Sequence, residues 1–327
     1  MIKTKTTNPT IWITALIAVL LPFIFRDSRY ILLVFCFIEI YIIAVSGLDI
    51  LFGYCGQISL GHASFYAIGA YTSVLLHKYT GMPVLMTMVI GAIAGALIGA
   101  IVAFSCSKLV FHFLSLATQA IGEIVYILVS HSPNNITGNY IGIYTDPVDI
   151  FGLTLDSNFK FYFFGLFCVV LFMAAKQALV DSKTGRAFIA IRENRHAANG
   201  MGINVRAYKV KAFATSAFFT AFAGAMFAHL VEYVSPDSFL YKQSVMFLTM
   251  LLFGGSGSFF GPIIGAIAVL LTNEALRSLE DYQMLAYGVM LLLVIIAFPG
   301  GIYGLIQDIG AKIKRSAQRV KGGAGNA

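Results

Sequence analysis

Residues 83–106 read PVLMTMVIGAIAGALIGAIVAFSC, an unbroken run without one charged side chain. At about 1.5 Å of rise per residue a helix of this length reaches about 36 Å, enough to cross a hydrocarbon layer roughly 30 Å thick. Gly91, Gly95 and Gly99 recur every fourth position. That spacing forms one stripe of small residues, where a second helix can approach closely in lipid. The run therefore reads as a membrane-crossing helix packed against a neighbour, and the remainder of the chain repeats its character.

Of 327 residues, 58% are hydrophobic and 11% charged, whereas soluble domains carry about 25% charged residues. Ten apolar stretches follow one another, near 11–25, 30–50, 57–76, 83–106, 109–131, 159–175, 210–232, 240–254, 258–277 and 283–299. The expected fold class is all-α, a polytopic membrane helix bundle of about ten transmembrane segments. Lys3 and Lys5 precede the first stretch, and Arg26, Asp27, Ser28 and Arg29 follow it where a cleavage site would need small residues. The first stretch is thus expected to remain as a crossing rather than be removed as a signal peptide. A second small-residue stripe, Ser216, Thr220, Gly224 and Ala228, points to another close helix contact.

Basic loops stay on the cytoplasmic side of a membrane. The segment from Lys176 to Lys211 holds eight lysines and arginines, and Lys3, Lys5, Lys312, Lys314, Arg315, Arg319 and Lys321 add to both ends. With six crossings before that segment and four after, all three regions fall on one side. The expected layout is a cytoplasmic N-terminus at 1–10, a transmembrane region at 11–310 and a basic cytoplasmic tail at 311–327. The loop at 132–158, with Asp146, Asp149 and Asp156, falls on the opposite side. In this setting the net charge of +7 marks retained loops and lipid contact rather than a nucleic-acid partner. Cys36, Cys55, Cys106 and Cys168 show no paired spacing and read as small hydrophobes.

Three segments carry polar groups into this apolar background. The first, GYCGQISLGHASFYAIGAYT from Gly53 to Thr72, sets Gln57, Ser59, His62 and Ser64 among glycines. It reads either as a broken helix lining a polar path or as a glycine-rich helix start at the interface. The second is the pair Glu39 and Glu123, both deep in apolar stretches. Thr118 and Gln119 lie one turn before Glu123, and His112 lies near the start of the same helix. A charge in hydrocarbon costs at least ~2.5 kcal/mol, so these carboxyls face protein or water, either as a polar wall or as a purely structural contact. The third is SKTGRAFIAIRENRHAANGMGINVRAYK, Ser182 to Lys209. At 100° per residue Ala187, Ala190, Ile191, Ala198 and Met201 share a face that Asn194 interrupts, opposite Arg192, Arg195, His196 and Asn199, which predicts a short amphipathic helix. Its small apolar face suits protein contact better than lipid.

No catalytic or energy-coupling motif is visible. GGSGSFFGP, Gly254 to Pro262, lacks the lysine and spacing of a phosphate-binding loop and reads as a tight connection. The histidines show no metal-ligand spacing. The chain reads as no enzyme, with no cofactor of its own; any ATP that drives it binds another chain.

Taken together, GYCGQISLGHASFYAIGAYT, LATQAIGEIVYI, TGNYIGI, GRAFIAIRENRHAANGMGI, YVSPDSF, LLFGGSGSFFGPIIGA and FPGGIYGL resemble, in this order, the larger permease subunit of bacterial branched-chain amino acid ABC transporters, the LivM type. The resemblance spans roughly residues 30–310. It implies an importer permease in the inner membrane, paired with a paralogous LivH-type permease, two cytoplasmic ATP-binding subunits that hold ATP and Mg, and an extracytoplasmic substrate-binding protein. It also implies that the basic segment near 181–209 is the coupling loop, with Arg186, Arg192, Glu193, His196, Ala197, Ala198 and Gly202 as candidate ATPase contacts. ABC permeases carry Glu-Ala-Ala, three residues, then Gly; here His196 stands where glutamate would. Gln57, Ser59, His62, Thr118, Gln119 and Glu123 are the candidate substrate path. Similar permeases carry urea or short amides, and an ion-coupled carrier using Glu39 and Glu123 is the reading from another class.

Overall fold

The computed structural model describes residues 18–106, 111–150, 153–276 and 300–305, with isolated positions between 282 and 296. A first helical segment, α1 (18–24), is followed by α2 (Arg29–Asp49), α3 (His62–Thr80), α4 (Val84–Cys106), α5 (Phe111–Ser130) and α6 (Asn158–Asp181). Two short helices, α7 (Lys183–Glu193) and α8 (Arg195–Gly200), lead into α9 (Val205–Val231), α10 (Tyr241–Gly254) and α11 (Gly261–Ala275). The second to ninth predicted stretches are thus helices of a polytopic bundle. The first is described only from residue 18, and the tenth, the N-terminus and the basic tail lie outside the described residues.

The bundle is organised around α2 and α9. Every residue from Ile38 to Leu51 is buried. On α9 the faces toward α2, α3 and α4 are all lined by small residues. A methyl group at Gly95 would meet Ala221 Cβ, at Gly99 it would lie 2.6 Å from Ala217 Cβ, and at Gly47 it would lie 2.8 Å from the Ser216 carbonyl. Of the α4 stripe read from the sequence, Gly95 and Gly99 form the α4–α9 seam, and Gly91 packs on the Gly69 carbonyl of α3. Lipid supplies no hydrophobic drive between helices, so this close approach supplies the attraction. The opposite face of α4 exposes Met86, Val89, Ile93, Leu97, Ile101 and Phe104, spaced three or four apart as a lipid-facing stripe must be. Cys36, Cys55 and Cys168 are buried free thiols, as their apolar settings predict.

One end of the bundle is closed by the 132–158 loop. Two-residue strands, β1 (Ile143–Tyr144) and β4 (Tyr233–Val234), pair antiparallel, as do β2 (Asp149–Ile150) and β3 (Leu153–Thr154). His229 ties this cap to the helices: Nδ1 lies 2.8 Å from the Asp146 carbonyl and Nε2 lies 2.9 Å from Ser73 Oγ. His77 Nε2 meets the exposed Asp146 carboxylate at 3.1 Å.

Four expectations change. The 57–76 stretch begins as a helix only at His62, because residues 50–54 form a π turn and 55–61 form no regular helix. Lys176 is not a loop residue: α6 continues to Asp181 and buries it. The amphipathic helix of the basic segment is two helices, broken at Asn194, whose φ of −158° and ψ of 106° are extended. Its Oδ1 accepts from His196 N at 2.9 Å and Ala197 N at 3.0 Å, so the side chain ends one helix by capping the next. Finally, α10 and α11 have 14 and 15 residues. At about 1.5 Å per residue each is shorter than the hydrocarbon layer. They form a hairpin whose glycines touch: a methyl group at Gly265 would strike the Met250 carbonyl, and one at Gly254 the Gly261 carbonyl.

Candidate functional site

The break between α2 and α3 is buried, so its backbone needs partners that lipid cannot give. Polar side chains from two other helices provide some of them. Thr118 Oγ1 on α5 accepts from Leu60 N at 3.1 Å, and Ser244 Oγ on α10 accepts from Ala63 N at 2.8 Å. Gly61 lies so close to α5 that a methyl group there would strike the Thr118 carbonyl. His62, fully buried, bridges Ser59 Oγ (2.9 Å from Nδ1) and Ser216 Oγ on α9 (2.7 Å from Nε2). Hydroxyls can donate or accept, so either neutral tautomer is satisfied. Gln57 is buried, with Nε2 3.4 Å from Cys55 Sγ. Residues 55–61 form a buried, non-helical connection between α2 and α3, and Ser59, His62 and Thr118 lie in the frame that holds it.

Gln119 and Glu123 lie elsewhere on α5. This helix is peripheral: 17% of its apolar window is buried, against 72% for the window that includes α2. Gln119 is half-buried and Glu123 exposed. Both line a cleft of about 270 Å³ with Leu60, Ala63, Tyr126, Phe239 and Ser244, between α5, the start of α3 and α10. Glu39 differs from Glu123: it is buried, and a methyl group at Gly165 of α6 would collide with its Oε2. The His112 side chain lies outside the described residues.

At the other end, α7 packs Gly185, Ala187, Phe188 and Ile191 inward. On α8 only Ala198 is buried. His196, Ala197 and Gly202 are exposed, as are Arg186, Arg192 and Glu193 along α7. Met201 is 71% exposed and does not join the Ala187 face. Gly202 has φ of +83°, and a methyl group there would meet nothing within 4 Å.

Beneath α7 lies an ion pair that sequence reasoning missed. Asp49 and Lys176, 0% and 1% exposed, meet at 2.7 Å. The other Asp49 oxygen accepts from Gly257 N at 2.6 Å, and Lys176 Nζ also donates to the Ser258 carbonyl at 3.1 Å. Each charge stands at the end of an apolar run, where a loop residue and an interior residue look alike. The available signal was their opposite sign. Residues 300 and 301 return to this same end, against Gly255. No cluster of three or more His, Cys, Asp or Glu that could hold a metal occurs among the described residues.

A bundle of apolar helices with a buried polar-braced connection and an exposed basic segment is the architecture of a multi-pass membrane protein. Residues 30–298 match the family described as the branched-chain amino acid transport system permease component, and the chain belongs to that family. It is 32% identical over 322 residues to a high-affinity branched-chain amino acid transport system permease, LivM, of Escherichia coli, covering 91% of this chain and 76% of that one. The LivM of Salmonella typhimurium is 31% identical over 97% of this chain and 80% of its own. A probable LivM of Methanocaldococcus jannaschii is 23% identical over 86% and 87%. No solved structure matches. Membership of this family and the apolar helices make this a multi-pass inner-membrane transport subunit, one that works with ATP-hydrolysing and substrate-binding partner proteins.

Proposed function

We propose that this chain is one membrane subunit of an ABC importer that carries leucine, isoleucine and valine into the cytoplasm. Its partners are a LivH-type permease, two ATP-binding subunits that hold ATP and Mg, and an extracytoplasmic binding protein. The chain itself catalyses no reaction, and the end bearing α7, α8 and both termini faces the cytoplasm. The coupling loop at 181–209 belongs to the transmembrane region at 11–310, followed by the basic tail at 311–327.

The observation that carries this reading is the exposed turn His196–Gly202 on a segment clamped to the bundle by Phe188, Ile191 and Ala198. A segment held this firmly transmits movement instead of absorbing it. Closure of the ATPases displaces it and switches the permease pair between outward and inward access. Substrate crosses at the seam between the permeases, onto which Gln119 and Glu123 open. A charged group on an apolar helix costs at least ~2.5 kcal/mol against lipid, so Glu123 belongs to a watered or protein-covered face. Gln57, Ser59, His62 and Thr118 shape that path from behind by holding the break.

The test is purification of the tagged chain from its native membrane, followed by leucine uptake in proteoliposomes with ATP inside. Recovery of a second permease and an ATPase, with ATP-dependent uptake, is expected. Gly202→Phe places its Cβ where nothing lies within 4 Å, but it requires a positive φ that only glycine adopts freely. It is expected to lower ATPase recovery while leaving the permease pair together. A chain that purifies alone and follows an ion gradient would instead be a secondary carrier.

A further inference from the structure

The loop Gly254–Pro262 and the stretch Gly53–Gly56 come from distant parts of the sequence and meet around one side chain of α7. Arg192 Nη1 donates to the Gly53 carbonyl. Its stem lies over Gly56, where a methyl group would sit 3.0 Å from Arg192 Cγ and 3.3 Å from its Cα; at Gly257 a methyl group would sit 3.2 Å from Nη1. Gly56 and Gly257 have φ of +68° and +72°, so both the turn and the space call for glycine. The walls of this slot are anchored to the bundle. Asp49 on α2 holds Gly257 N at 2.6 Å and Lys176 on α6 at 2.7 Å. A methyl group at Gly53 would strike the same Asp49 carboxylate.

We propose that Arg192 is a positioning residue that carries movement of the coupling segment into the broken helix, rather than a contact for the ATPase. The inference rests on the importer reading above. From Gly53 the backbone itself leads onward, braced by hydrogen bonds. Gly56 N bonds the Phe52 carbonyl at 3.1 Å and Gln57 N the Leu51 carbonyl at 3.0 Å. Leu60 N bonds Thr118 Oγ1 at 3.1 Å, on the helix that carries Gln119 and Glu123. A displacement of α7 thus pulls on the break, and the break pulls on the cleft-lining helix. Arg192 is exposed like His196, Ala197 and Gly202, but it also reaches the Gly53 carbonyl, so the proposal gives transmission to Arg192 and docking to the turn. Arginine suits this place because its planar head bonds a carbonyl while its stem packs on a bare backbone, which the point charge of lysine does less well.

The experiment compares Arg192→Ala and Arg192→Lys with the parent chain in the full complex, reading ATPase recovery, ATP hydrolysis and leucine uptake in the same proteoliposomes. Uptake by the parent complex tests the importer reading separately. For Arg192→Ala, the ATPases are expected to stay bound and hydrolysis to continue, while amino acid carried per ATP hydrolysed falls by about tenfold, the scale of losing one charge-assisted hydrogen bond. Arg192→Lys is expected to fall between, and it carries the test if the alanine chain fails to assemble. Loss of the ATPases from the complex would make Arg192 a docking residue and overturn the proposal. Equal loss of uptake and hydrolysis, or no change in either, would overturn it too.

Discussion

Lys176→Met removes one partner of the buried ion pair and leaves the Asp49 carboxylate, 0% exposed, with only the Gly257 N–H at 2.6 Å. Methionine matches the lysine stem in length, so packing changes little and the effect is that of the stranded charge. Breaking a buried pair in this way costs about 3–5 kcal/mol. Set against a typical total of about 5–15 kcal/mol, that is a large share of stability. Asp49→Asn with Lys176→Met removes both charges and retains an oxygen to accept from Gly257 N, so the double variant is expected within about 2 kcal/mol of the parent. Asp49→Asn alone strands the buried Lys176 ammonium and is expected to cost about as much as Lys176→Met, so the coupling energy of the cycle is at least about 4 kcal/mol, above the usual range of about 0.5–3 kcal/mol for residues in contact. Unfolding of the purified chain by sodium dodecyl sulfate in mixed micelles, followed by circular dichroism, reads all four members of the cycle. A loss below about 1 kcal/mol for Lys176→Met, or a double variant no more stable than the worse single one, would refute the argument that these two charges form one unit.

Glu123→Gln is expected to leave unfolding within about 0.5 kcal/mol of the parent, because the side chain is exposed and meets no buried partner. Leucine uptake by the assembled transporter is expected to fall about tenfold, the scale of one charge-assisted contact; unchanged uptake would remove Glu123 from the path. Gly69→Leu drives a side chain into the Ala221 carbonyl at the α3–α9 contact and is expected to cost at least about 1–3 kcal/mol in the same unfolding assay. Gly200→Ala, where nothing lies within 4 Å, serves as its comparison and is expected to change stability by less than about 0.5 kcal/mol.

Much of the architecture was legible because hydrophobicity and small-residue spacing are properties of neighbouring positions. Gly91, Gly95 and Gly99 announce a helix face by their spacing alone, and that face is buried, Gly91 on α3 and Gly95 and Gly99 on α9. The basic segment likewise announced itself, but its break did not: Asn194 looks like a polar interruption of one helix and acts as the cap of the next. Ala198, beyond that break, is buried, whereas Met201 follows the end of α8 and is exposed. In the 53–72 segment the sequence left a broken helix and an interfacial helix start equally open. The structure adds the partners of this segment: Thr118, Ser216 and Ser244 on three other helices, at hydrogen-bonding distance from it.

The sequence by itself determined that this protein is a membrane bundle, where its helices run, which faces pack and which family it resembles. Only the tertiary structure decided what each polar group meets. It made Lys176 an ion-pair partner instead of a loop charge, set the buried Glu39 apart from the exposed Glu123, and turned Arg192 toward Gly53. The physical reason is the range of the interaction: burial along a helix follows from a local period, whereas the partner of a charge is chosen by contacts between segments far apart in the chain.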